Sequence, residues 1–191
     1  MKLHLLSAIL FAGLVLRATL TGAQVPPPVD LPIQNIPQQE AVWCWAAVAQ
    51  QIIAASRGPA STPPQCALVA IANGAAPQVC CSMRNPMCMR TGSIQQIQGL
   101  IAEFGGRSSS VAPPADPMVL YNTLASGRPI LIQVRTSVVT AHVVVLRGMS
   151  FVRTPYGIEP VLHINDPLSY FTRPVPFSRI MGIWTSAIVV D

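Results

Sequence analysis

Lysine is nearly absent from this chain: Lys2 is the single example, and every other basic side chain is arginine. Charged residues make up only 10% of the sequence, and the formal net charge is +5 with its arginines scattered. Positive charge so sparse and dispersed excludes an electrostatic footprint for nucleic acid. Histidine is scarce as well, limited to His4, His142 and His163, so few positions are open to imidazole catalysis. Beyond the N-terminus no apolar run spans a bilayer. The most apolar stretch, "PILIQVRTSVVTAHVVVLRG", is broken by Arg135 and His142 and reads as two strands.

What is present begins with a targeting signature. Residues 1–23, "MKLHLLSAILFAGLVLRATLTGA", join a basic residue, a short apolar run and a small-residue end, the pattern of a secretory signal peptide. Its removal takes away Lys2 and Arg17 and leaves enough chain for one domain with a core, free of the membrane. The implied destination is the periplasm or the extracellular space, where thiols pair. Five cysteines are therefore disulfide partners first. Cys66, Cys80, Cys81 and Cys88 crowd one segment. Vicinal Cys80 and Cys81 are poorly placed to bridge each other, so two connectivities stand: 66 with 80 and 81 with 88, or 66 with 81 and 80 with 88. Two C-x2-C hooks are missing, which disfavours zinc; no metal or cofactor is implied. Cys44 is left over.

Residues 24–37 form a proline-rich extended lead-in, and 38–191 one domain. Apolar positions recur at helical spacing from Glu40 to Ser56, which puts Cys44 in the first turn of a buried helix. A short helix fits "CALVAIAN", ended by Gly74. Ser93 with Gln96 marks a capping box for a helix to Phe104, and Asp116 followed by Pro117 opens another that ends before Gly127. Thereafter "PILIQVR", "AHVVVLRGMSF", "IEPVLHIND" and "GIWTSAIVV" are β-branched segments separated by turns, the texture of an antiparallel sheet. Helices followed by strands predict an α+β fold.

A thiol attacks as its thiolate, which the amides of a helix start stabilise. Cys44 has that placement. Acyl transfer also requires an imidazole and oxyanion donors. His142 opens a strand at the rim of the sheet, whereas His163 lies inside one. Asp166, at a strand end before Pro167, is placed to orient an imidazole, and the adjacent Asn165 is the alternative. Gln38, six residues before Cys44, is placed to direct its amide at an oxyanion beside the Cys44 backbone N–H.

Together these residues resemble a known family. "QQEAVWCWAA" matches the Gln-x5-Cys-Trp-Ala signature of papain-like cysteine proteases at Gln38, Cys44, Trp45 and Ala46, while "AHVVVLRG" and "INDP" are similar to the His and Asp segments of the bacterial members. The pattern resembles the family named after a plant-pathogen effector protease and the double-glycine leader peptidases. The resemblance implies a two-lobe fold, an N-terminal helical lobe carrying Cys44 and a C-terminal antiparallel β lobe carrying His142 and Asp166. It further implies a peptidase acting on a peptide or protein substrate through a thioacyl intermediate, without a cofactor. Rival readings of the same residues are a transglutaminase-like or amidase acyl transfer, and a catalytically silent peptide-binding module.

Overall fold

A computed structural model describes residues 25–82, 85–137 and 140–191; the expected signal segment, residues 1–23, lies outside the described residues. The chain is α+β. Helix α1 (Cys44–Arg57) is central, with Trp45 to Ala49 and Gln51 to Ile53 all buried. Five alanines within it keep its surface thin and let neighbours approach. It begins four residues later than the hydrophobic period predicts. Long-range partners hold residues 39–43 instead: the Gln39 N–H donates to Gln65 Oε1 at 2.9 Å, and the Trp43 indole N–H donates to the Cys88 carbonyl at 2.7 Å. Gly58, at φ 86°, ends the helix.

Helices α2 (Gln65–Ala72) and α3 (Gln78–Cys81) follow, the second of them unforeseen in the sequence. Consecutive residues of a helix point about 100° apart, so Cys80 and Cys81 in α3 face different partners. Cys81 bonds Cys66 on α2, and Cys80 bonds Cys88, which selects the second of the two connectivities. Helix α4 (Ile94–Leu100) has the capping box expected at Ser93 and Gln96. It passes into a π turn over Ile101–Gly105 in place of a regular α-helix to Phe104. Helix α5 (Pro117–Ala125) starts at Asp116, whose carboxylate accepts from the Met118 and Val119 amides. A short α6 (Phe177–Met181) completes the set.

Strands β1 (Val29–Asp30), β2 (Ser109–Ala112), β3 (Ile130–Arg135), β4 (Ala141–Thr154), β5 (Gly157–Asn165), β6 (Val175–Pro176) and β7 (Trp184–Val190) form one antiparallel sheet. Its order is β2-β7-β3-β4-β5-β6, with β1 added to β4. The expected strands are β3, β4, β5 and β7; the short β1, β2 and β6 carry too few residues to show a period of two. Gly148 makes the β1 contact possible, since a Cβ there would lie 2.6 Å from the Val29 carbonyl oxygen.

Alternation along the strands divides the core. Leu131, Val143, Val145, Ile188 and Val190 pack with α1, α2 and α4, while Ile130, Ile132, Val134, Val144 and Leu146 pack with α5 and α6 on the opposite face. Central strands buried on both faces explain the unbroken apolar runs. Among the described residues no helix is long and apolar enough to cross a membrane.

Candidate active site

Cys44 is the free cysteine and is half-buried, and as the first residue of α1 its backbone N–H has no carbonyl one turn earlier in the helix. Tryptophans on both sides fix it. Trp43 is tied to the Cys88 carbonyl, and the Trp45 indole N–H donates to the Arg90 carbonyl at 3.3 Å. The Trp45 ring lies flat against Gly92, where any Cβ would overlap it. The sequence shows a Trp-Cys-Trp triplet but not these partners, which lie 45 residues along the chain.

His142, the second residue of β4, is buried, and its Nε2 lies 2.6 Å from Asp166 Oδ1. Asp166 is only 1% exposed. The loop after β5 folds around its carboxylate: the Leu168 amide donates to Oδ1 at 2.9 Å and the Phe171 amide to Oδ2 at 3.0 Å. Ser169 adopts φ 61° to close that loop. Burial alone pushes the Asp166 carboxyl upward, but hydrogen bonds from His142 and the Leu168 amide outweigh it, so the group titrates below its ordinary value. For His142, burial disfavours the imidazolium, yet the Asp166 carboxylate and hydrogen bonding to Cys44 raise it to about 9. With Nε2 engaged by Asp166, Nδ1 is the ring nitrogen left for the sulfur. The Tyr170 ring stands edge-on to His142 at 5.7 Å.

These groups share a cleft of about 450 Å³ lined by Cys44, Trp45, Gly92, His142, Leu168 and Tyr170. Apart from the thiol, the imidazole and the Tyr170 phenol, no ionisable side chain lines it among the described residues. Another cavity, of about 320 Å³ between the proline-rich segment and α1, is lined by neutral residues such as Pro32, Gln34 and Gln51. Among the described residues its lining has no thiol, imidazole or carboxylate. A free thiol at a helix start facing an imidazole that a buried carboxylate holds is an arrangement suited to acyl transfer.

The family described as papain-like cysteine protease AvrRpt2 matches residues 28–178, well over half of the chain. The chain belongs to this family. Comparison with curated proteins finds no match. As a papain-like cysteine protease it is a hydrolase, and the family match takes in most of the proline-rich segment together with helices α1 to α5 and strands β1 to β6.

The remaining sequence candidates lie as follows in this protease. Asn165 is turned away from His142: its Nδ2 donates to the Ile33 carbonyl at 2.8 Å, and its Oδ1 accepts from Arg147 Nε at 3.0 Å. Gln38 gives one amide hydrogen to the Glu40 carbonyl at 2.7 Å, and its own N–H donates to the Pro167 carbonyl at 3.2 Å, beside Asp166. Its Oε1 is buried without a hydrogen-bond partner. His163 meets Ser150 Oγ at 3.0 Å and Asp30 at 3.9 Å, outside the residues lining the cleft. Leu168 and Tyr170 were not foreseen as cleft residues; they follow Asp166 in the turn that encloses its carboxylate.

Proposed function

We propose that this protease is a secreted peptidase working through Cys44, His142 and Asp166, with residues 38–191 as its catalytic domain after loss of residues 1–23. The helical part carrying Cys44 and the sheet carrying His142 and Asp166 serve as two lobes with the substrate cleft between them. The observation that carries this reading is the 2.6 Å contact of His142 with buried Asp166, on a ring that lines the same cleft as the free Cys44. Two disulfides support an oxidising destination.

With its pKa raised to about 9, His142 is an imidazolium through the neutral range, positively charged beside the attacking sulfur and holding a proton to deliver. The sulfur attacks the scissile carbonyl carbon and forms a C–S bond. The oxyanion takes hydrogen bonds from the Cys44 N–H and from the second amide hydrogen of Gln38. Collapse expels the amine, which takes the proton from His142 and leaves a thioester. Neutral His142 then draws a proton from water, whose oxygen displaces the sulfur and frees the acid. Asp166 holds the ring in orientation throughout.

Cys44→Ala is expected to abolish turnover of a denatured protein while leaving the thermal midpoint close to that of the wild type, whereas His142→Ala should abolish turnover and also lower the midpoint, because it strands the buried Asp166 carboxylate. Full turnover in Cys44→Ala would sink the assignment. Product masses with and without an added amine separate hydrolysis from amine transfer.

A further inference from the structure

The proline-rich segment ahead of α1 is stitched to the loop that carries Asp166, residue by residue. Asn165 Nδ2 donates to the Ile33 carbonyl at 2.8 Å, Asn35 Nδ2 donates to the Asp166 carbonyl at 3.0 Å, and the Gln38 amide donates to the Pro167 carbonyl at 3.2 Å. Asn35 also faces the helix. Its Oδ1 accepts from Gln51 Nε2 at 3.1 Å, and the same Gln51 nitrogen donates to the Ile36 carbonyl at 3.2 Å. Gln51 lies two turns after Cys44 on α1. One amide therefore spans from the element bearing the sulfur to the residue that holds the imidazole.

Stability alone does not account for this link. Gln51 is 1% exposed and its Oε1 is buried without a partner, an arrangement an isosteric leucine would avoid. Asn35 is exposed, so its side chain contributes little packing.

We propose that Asn35 is a positioning residue for the protease, setting through Gln51 and the Asp166 carbonyl the separation of Cys44 from the His142–Asp166 pair. This rests on the Cys44, His142 and Asp166 reading above. The lead-in segment is thereby a working part of the active site and not a dispensable leader. Around His142 the facing groups are Asp166 from the loop after β5, Cys44 from α1 and the Tyr170 ring. Release of the Asp166 loop loosens the first of these and with it the support for the imidazolium.

The test compares Asn35→Ala, Gln51→Leu and the double variant by steady-state kinetics against pH on a peptide substrate. Either single change is expected to lower kcat about tenfold, an effect of small misplacement, with KM within about twofold. The alkaline limb of kcat/KM moves to lower pH. Because both act on one link, the double variant loses no more than the worse single. Unchanged kcat, an unmoved alkaline limb, additive losses, or a fall in kcat matched by a fall in folded fraction by near-ultraviolet circular dichroism would each overturn the proposal. Cys44→Ala is assayed in parallel. Full kcat in Asn35→Ala beside an inactive Cys44→Ala removes the positioning role and keeps the peptidase reading, whereas activity in Cys44→Ala removes that reading itself.

Discussion

A sulfur and an imidazole form a reactive ion pair when the ring holds its proton more tightly than the thiol does. For His142 this depends on Asp166, since burial acts in the opposite direction and the carboxylate and Cys44 overcome it. Asp166→Asn is therefore expected to drop the imidazolium below about 9, move the alkaline limb of kcat/KM to lower pH, and reduce kcat by about 10²-fold or more. Stability carries a matching signature. The folded pKa of His142 exceeds its ordinary 6.5, so the associated stabilisation is present below 6.5 and fades as pH rises through about 9. Asp166, shifted downward, contributes above its ordinary 3.8 and loses this as pH falls lower. Thermal midpoints between about pH 6 and pH 10 should decline more steeply in wild type than in Asp166→Asn. Equal slopes would place the raised pKa on another cause.

At the scale of elements, helix starts rest on single side chains. Ser93 accepts from the Gln96 amide at 3.1 Å while Gln96 Oε1 accepts from the Ser93 amide at 2.9 Å. Helix α4 brings Ile97 and Leu100 into the core beside α1. Ser93→Ala and, on α5, Asp116→Ala should each lower unfolding stability by about 1 kcal/mol, read as a lower urea midpoint with an unchanged slope. Unchanged midpoints would show that core packing alone sets these starts. Both caps are legible in the sequence because donor and acceptor lie within three residues of each other. The start of α1 is not, because Trp43 is claimed by a carbonyl 45 residues away. The same distinction runs through the site. Cys44, His142 and Asp166 each sit in a short stretch with its own pattern, but the bond from Asn35 to Asp166 spans 131 residues and leaves no local trace. Disulfide pairing belongs with the hidden features, since it depends on the four-residue α3 that turns Cys80 from Cys81.

Across the whole molecule, the disulfides and the proposed nucleophile, Cys44, make opposite redox demands. The Cys80–Cys88 bond holds the segment whose carbonyls at Cys88 and Arg90 receive both indoles flanking Cys44, and whose next residues, Thr91 and Gly92, line the cleft. Reduction there frees a cleft wall without touching the sulfur's partner ring. The proposed role of Cys44 nonetheless requires a thiol. Activity should consequently rise and then fall as reductant strength increases, the rise reporting on Cys44 and the fall on Cys80–Cys88. The double variant Cys80→Ser, Cys88→Ser isolates the second effect. Loss of so short a cross-link is expected to lower stability by about 2–3 kcal/mol. It should raise KM as the cleft wall at Thr91 and Gly92 loosens, and also lower kcat, since the indoles that fix Cys44 donate to carbonyls of the same segment. Iodoacetamide alkylation of Cys44 against pH should keep its wild-type profile in that variant. A changed profile would mean that the disulfide acts on Cys44 itself and not merely on the shape of the cleft.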